Sequence, residues 1–246
     1  TLKKYSELMP LVDESVYLLL LEKFKLGLFE NPYVDVGQAN EVVGNSEFQK
    51  RADVAMRKSI VLLRNNENIL PLKPKTKVYF ETYLPKRGAS PSTIHSNENN
   101  DWDLEFVNSP EEADVNILWL IPKGQSLFAS DGSPLHVNIS NNGIDIDYVN
   151  KLTNKPTILI VNYTNPWAID EIYNENSGTI KSVMATFGTT PEAVLDIIAG
   201  IFEPSGKMPF STPRSDMEAQ NQKSDVPGYQ EGENYALFNF NEGVSF

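Results

Sequence analysis

One carboxylate stands alone in the long polar stretch "PKGQSLFASDGSPLHVNISNNGIDIDY", because Asp131 is its only acidic residue before Asp145. A carboxyl group held in a cleft can donate or accept a proton during a reaction. The surrounding Ser-Asp-Gly-Ser-Pro is also good turn chemistry, since Asp hydrogen-bonds its own backbone in turns. The residues alone leave both interpretations of Asp131 open.

Polar and aromatic residues follow the apolar run "PTILIV" in the segment "NYTNPW". Asn162, Asn165 and Trp167 would lie where a buried strand ends, at the edge where open α/β sheets bind ligands. Amide groups there can hydrogen-bond a ligand or cap a loop. The Trp167 ring can stack on the apolar face of a ligand or pack against its own domain.

Several kinds of chemistry are excluded by residue content. The chain has no cysteine, so it has no disulfide, thiolate nucleophile or Cys-based zinc site. Its two histidines, His95 and His136, stand in separate polar stretches and do not predict a metal site. Neither Gly-x-Gly-x-x-Gly nor a P-loop occurs, so no phosphate cradle and no cofactor are expected.

The charge balance limits the partners. Asp and Glu number 33 against 21 Lys and Arg, which gives a formal net charge of -12. This excess repels phosphate backbones, so no nucleic-acid partner is expected. No stretch of about 18 apolar residues exists, so no membrane span is predicted.

Strand-like and helix-like segments alternate along most of the chain. Apolar, β-branched runs of strand length occupy 77–83, 115–121, 156–163 and 179–187, and helical patterns occupy 46–63, 143–152, 167–175 and 191–202. Strands that are apolar throughout and alternate with helices predict a parallel sheet that is covered on both faces. The fold class is therefore α/β.

The N-terminal part has a different character. The segment "LVDESVYLLLLEKFKLGLF" predicts a helix that Asp13 caps and that ends at Gly27. This helix is apolar nearly all the way round, so it requires burial on more than one side. Residues 30–45 contain Asn-Pro and two glycines without periodicity, which favours an extended linker.

Four segments, in order along the chain, resemble glycoside hydrolase family 3. They are "EKFKLGLFENPYVD" (22–35), "AMRKSIVLLRNNENILPL" (55–72), "EPSGKMPFSTPR" (203–214) and "GYQEGENYALFNFNEGVSF" (228–246). The resemblance implies a three-layer α/β/α sandwich with a mostly parallel, about six-stranded sheet. It assigns 1–45 to the end of a missing barrel domain and a linker, and 46–246 to the family's C-terminal sandwich domain.

The resemblance also implies where the chemistry would lie. Family members pair this sandwich with a (β/α)8 barrel that carries an Asp-Trp nucleophile, and the sugar site lies between the two domains. The Asp101-Trp102 pair stands in the wrong context for that nucleophile. Gln125 occupies the place of the family's acid/base Glu, and an amide cannot donate a proton as an acid does. Asp131 is then the one substitute in the loop, while Gln125, Asn165 and Trp167 are candidate substrate-binding residues.

The expected function is therefore that of a domain of an exo-acting, retaining β-glucosidase-like hydrolase that is inactive alone. Its expected partners are a β-linked glucoside or oligosaccharide and a barrel domain of the same protein. The alternative is a non-catalytic carbohydrate-binding or scaffolding domain. A periplasmic or secreted location is the best expectation. Without its barrel, the 13–25 helix is expected to form a homodimer, because its four consecutive leucines cannot all face one core.

Overall fold

The computed structural model describes two compact units, residues 1–50 and 51–246. The described residues are 6–85, 92–94, 101–124, 136–176, 178–222 and 235–246. Gln125 and Asp131 lie outside these ranges.

Unit 1 contains helices α1 and α2. Helix α1 (Met9–Lys25) begins earlier than the predicted cap at Asp13, because Pro10 starts its first turn. Gly27 follows the helix with φ 67°, the left-handed conformation that ends many helices. Residues 30–45 are not extended throughout, since Asp35 caps helix α2 (Val36–Val42) by accepting a hydrogen bond from the Gln38 N–H.

No residue of α1 is buried, and its apolar side chains are exposed on all sides. Leu19 exposes 67% of its surface and Phe24 exposes 58%. Association through this helix stays a prediction.

Unit 2 is built on a sheet that has seven strands in the described part of the chain. Helix α3 (Ser46–Ser59) leads into it. Its strands are β1 (Val61–Asn65), β2 (Lys77–Tyr83), β3 (Ser92–Ile94), β4 (Glu105–Phe106), β5 (Val115–Leu120), β6 (Thr157–Asn162) and β7 (Ile180–Thr186). Six strands follow one path, β1-β7-β6-β5-β2-β3, and the short β4 pairs with β2. Of these seven strands, only β1 and β3, at the two ends of that path, pair with their neighbours in the antiparallel sense.

Helices cover both faces of this sheet. Helix α4 (Ile146–Leu152) buries Val149 and Leu152 in a cluster with Leu118 and Leu120 of β5. Helix α5 (Pro191–Ile198) packs on the other face, in a cluster that includes Ile117. The alternating residues of β5 therefore enter two separate cores. The predicted three-layer α/β/α sandwich with a mostly parallel sheet is confirmed.

The predicted helix at 46–63 is wrong beyond Ser59. Residues 61–65 form β1, which pairs antiparallel with β7. Ile60 and Leu62 enter one core and Val61 and Leu63 enter the other, so this run is buried on both faces. A continuous apolar run of that kind has no period that separates a helix from a strand.

The predicted helix at 167–175 is also wrong. The Ala168 N–H donates to the carbonyl of Val137 at 2.9 Å, and Ala168 forms a parallel bridge with Asn138. This pairing holds the chain extended where a helix would begin. Only one turn follows, in which the carbonyl of Ile169 accepts from Ile172 and Tyr173.

The segment 203–214 closes the domain against β1. A side chain at Gly206 would lie 2.4 Å from the Ile60 carbonyl oxygen, so only glycine permits this close approach of two backbones. The Lys207 Nζ donates to the Gly243 carbonyl, and the Arg214 Nη2 donates to the Ala236 carbonyl. The strands β8 (Thr212–Pro213) and β9 (Ala236–Phe238) pair with each other, and α6 (Asp216–Gln220) follows β8. The two cations therefore make structural contacts.

Candidate functional site

The loops that follow the parallel strands meet at one edge of the sheet. The Ile121 N–H after β5 donates to the Tyr83 carbonyl of β2, and the Tyr163 N–H after β6 donates to the Thr186 carbonyl of β7. A Cβ placed on Gly124 would lie 3.0 Å from the Asn165 amide nitrogen. The chain therefore lies close to the Asn165 side chain at Gly124, which is the residue before Gln125. Carboxyl ends of strands in open α/β sheets are the usual place of ligand binding.

Asn162 ends β6 and ties two strands together at this edge. Its Oδ1 accepts the Gly188 N–H at 2.8 Å and the Thr186 hydroxyl at 3.2 Å. The Thr186 hydroxyl in turn accepts the indole N–H of Trp119 at 3.1 Å. These bonds satisfy buried polar groups and fix the chain that follows β7.

Asn165 is the exposed member of the site. Among the described residues, none forms a hydrogen bond with the Asn165 side chain. Its amide is therefore available to a ligand, which agrees with one of the two interpretations of this residue.

Trp167 lies in the core rather than on an open surface. It is 1% exposed, and its indole N–H donates to the Asn162 carbonyl at 3.1 Å. Its rings are covered by the domain, so in this structure they offer no face on which a sugar could stack. The packing interpretation of Trp167 is the one that its burial supports.

Tyr163 belongs to an aromatic cluster behind the same edge. Its ring lies 6.4 Å from Phe187 and 6.3 Å from Phe210, measured between centroids. Burial raises the pKa of the Tyr163 hydroxyl, which is therefore neutral at physiological pH. It contributes packing and no charge.

The residues that flank the segment 125–135 on either side, here called its two stems, both form hydrogen bonds with Asn142. The Asn142 carbonyl accepts the Lys123 N–H at 2.9 Å, and the Asn142 side chain donates to the His136 carbonyl at 2.9 Å. Asn142 is 2% exposed, so these bonds are shielded from water. The positions where the chain enters and leaves this segment are thereby fixed.

Asp216 of α6 holds the second stem from the other side. Its carboxylate accepts the Val137 N–H at 2.6 Å and lies 2.8 Å from the Nδ1 of His136. Burial alone would raise the pKa of Asp216, but the hydrogen bonds from His136 and from the Val137 N–H lower it. Asp216 is therefore a carboxylate in the working pH range.

The buried carboxylate of Glu81 was not anticipated from the sequence. Glu81 of β2 is 1% exposed and accepts hydrogen bonds from the hydroxyls of Tyr79 at 2.6 Å and Tyr148 at 2.9 Å. The predicted parallel sheet, covered on both faces, could have indicated its burial, since β2 places alternate residues in two separate cores. Its burial leaves it no path to a ligand, so it fastens α4 to the sheet.

Other candidates have structural partners. The indole N–H of Trp102 donates to Asp196 of α5 at 2.8 Å, so Trp102 has a structural role. Within the described ranges, no group of three or more His, Asp or Glu side chains could hold a metal ion. No helix in the described part of the chain is long and apolar enough to cross a membrane.

Curated proteins resemble this chain over almost all of its length. It is 35% identical over 240 residues to a probable beta-glucosidase C of Aspergillus flavus, which covers 96% of this chain and 35% of that protein. It is 29% identical to a periplasmic beta-glucosidase/beta-xylosidase of Dickeya chrysanthemi, over 88% of this chain and 32% of that protein. The chain thus spans about a third of the length of these relatives.

Solved structures show the same fold. The beta-glucosidase of Listeria innocua in complex with glucose superposes with a TM-score of 0.64 at 20% identity, over 96% of this chain and 39% of that one. An exo-1,3/1,4-beta-glucanase from a Pseudoalteromonas species superposes with a TM-score of 0.61 at 17% identity, over 85% of this chain and 38% of that one.

A family model described as "Glycosyl hydrolase family 3 C-terminal domain" matches residues 60–246. This range begins at the edge strand and contains the whole sheet, both cores and the loops of the candidate site. The chain therefore belongs to glycosyl hydrolase family 3, of which it carries the C-terminal domain.

Proposed function

We propose that this chain completes the sugar site of an exo-acting, retaining β-glycosidase, together with a (β/α)8 barrel domain of the same protein. The substrate is a β-linked glucoside or a short oligosaccharide. A retaining mechanism requires two carboxyl groups about 5–5.5 Å apart, one as nucleophile and one as acid/base. In this proposal the barrel supplies the nucleophile and the sandwich domain contributes the segment 125–135, with Asp131 as acid/base.

The observation that carries the proposal is the meeting of Gly124 with Asn165 at the carboxyl edge of the sheet. The chain enters the segment with Gln125 and Asp131 directly from this point. An exposed amide without a hydrogen-bonding partner among the described residues stands beside it. The names of the family's β-glucosidases and β-xylosidases agree with a β-glycoside as the ligand.

One observation favours a second candidate. Gln125 stands where the resemblance implies an acidic residue, and the loss of that acid would leave a domain that binds or scaffolds without catalysing. The two candidates differ in whether proton donation depends on this domain.

The substitution Asn165→Ala, in the protein that contains both domains, tests the proposed site. We expect KM for an aryl β-glucoside to rise by about 2–10-fold with little change in kcat, because a neutral hydrogen bond contributes about 0.5–1.5 kcal/mol to binding. Steady-state kinetics measures both constants.

Asn150→Ala is the matched control, since Asn150 is an exposed amide near the end of α4, and that end contacts Asn116 at the start of β5 rather than the candidate site. We expect its KM to equal that of the unmodified protein. An Asn165→Ala protein with unchanged KM for glucosides and xylosides would contradict the placement of the sugar at this edge.

A further inference from the structure

The two polar atoms of the Asn162 amide have different surroundings. The Oδ1 accepts two hydrogen bonds, from the Gly188 N–H and from the Thr186 hydroxyl. A backbone N–H can only donate, so the oxygen must be the atom that faces Gly188. The orientation of the amide group is thereby fixed, and its NH2 group lies on the other side.

The Asn162 NH2 group has no hydrogen-bond acceptor among the described residues. This nitrogen is not fully buried, although Asn162 as a whole is only 6% exposed. The nitrogen therefore retains some contact with the surface at the carboxyl edge. A side chain that is almost wholly buried thus keeps a donor accessible at the candidate site.

The backbone at this position is held as firmly as the side chain. The Asn162 carbonyl accepts the indole N–H of buried Trp167, and the next residue, Tyr163, donates its N–H to Thr186. A donor whose backbone and rotamer are both fixed loses little conformational entropy when it binds a ligand. This arrangement is typical of a preorganised binding group.

We propose that the Asn162 NH2 group donates a hydrogen bond to an oxygen of the bound β-glycoside, which makes Asn162 a substrate-binding residue. This inference rests on the proposed function, because that function places the sugar at the carboxyl edge. Asn162 and Asn165 then act differently: Asn162 is a rigid donor, and Asn165 is an exposed and adaptable one.

The competing role for Asn162 is purely structural, since its Oδ1 holds the Gly188 loop. Thr186→Val separates the two roles, because it removes a hydroxyl from the same network and leaves the Asn162 NH2 group in place. A structural role predicts similar kinetic effects of Thr186→Val and Asn162→Ala. A binding role predicts an effect on ligand affinity from changes at Asn162 alone.

The test compares Asn162→Ala, Asn162→Asp and Thr186→Val in the two-domain protein, by thermal unfolding and steady-state kinetics with an aryl β-glucoside. We expect both Asn162 variants to raise KM and the inhibition constant of glucose about tenfold. Thr186→Val should lower Tm but change both constants less than threefold. Asn162→Asp keeps an acceptor for Gly188, so it remains folded if Asn162→Ala does not.

Equal changes in KM for all three variants, or unchanged KM in the Asn162 variants, would overturn the inference while the enzyme remains active. A two-domain protein that hydrolyses no β-glycoside would instead contradict the proposed function. The inhibition constant of glucose, measured on the active enzyme, therefore tests the role of Asn162, whereas the presence of β-glycoside hydrolysis tests the proposed function.

Discussion

The 246-residue chain, purified alone, is expected to hydrolyse neither aryl β-glucosides nor aryl β-xylosides. A retaining mechanism needs a nucleophilic carboxylate opposite the acid/base, and in our proposal that group belongs to the barrel. Loss of the positioned partner also removes the effective-molarity advantage of a bound substrate, which is worth about 7–11 kcal/mol. Release of nitrophenol over several hours measures the residual rate.

The two-domain protein is the control, and it should turn over the same substrates at rates at least about 10⁴-fold above the isolated chain. Steady turnover by the isolated chain that scales with its concentration and survives a second purification would contradict this prediction. It would mean that the 246 residues hold both carboxylates.

Asp131→Asn in the two-domain protein is expected to reduce kcat/KM for a substrate with a poor leaving group by about 10²–10⁴-fold. A general acid protonates the departing oxygen, and a poor leaving group needs that proton in the transition state. The loss should be much smaller for an activated aryl group, such as dinitrophenol, which departs without protonation. The measurement is the ratio of the two kcat/KM values, because kcat/KM reports the step in which the leaving group departs, whereas kcat can be limited by the later hydrolysis step, in which the same residue acts as base.

Asp147→Asn removes one negative charge from the exposed face of α4 and serves as the matched control. It should leave the dependence on leaving group unchanged. If Asp131→Asn behaves like Asp147→Asn, another carboxylate supplies the proton and Asp131 is a turn residue.

The central strands could be predicted from the sequence because both of their faces are buried. The run at 77–83 coincides with β2, β5 ends one residue before its predicted range does, and β6 and β7 are each one residue shorter at both ends. An unbroken β-branched run of that length has few alternatives in an α/β chain.

The edges of the sheet could not be predicted in this way. Strand β1 begins at Val61, two residues after α3 ends at Ser59. Its apolar residues therefore extend the hydrophobic pattern of the helix without a break in the sequence. The turn after Trp167 depends on a bond between Ala168 and Val137, which lie far apart in the sequence. Local propensity carries no information about such pairing.

The candidate site could be predicted only in part. The position of Asn162 and Asn165 at a strand end followed from the apolar run that precedes them. The burial of Trp167 did not follow, because a tryptophan after a strand can face either the core or a cleft. The role of Asn142 could not be predicted either, because its hydrogen bonds with Lys123 and His136 depend on how the fold brings the two stems of 125–135 together.

Hydrogen–deuterium exchange of the two-domain protein, with and without glucose, tests most directly whether the carboxyl edge of this domain forms part of the sugar site. The account predicts slower exchange in peptides that cover 121–124, 163–167 and 187–190, and unchanged exchange in 153–156 at the opposite edge of the sheet. Protection that is confined to the barrel, or that appears instead around the 570 Å³ cavity lined by Phe202, Glu203 and Lys207, would contradict it.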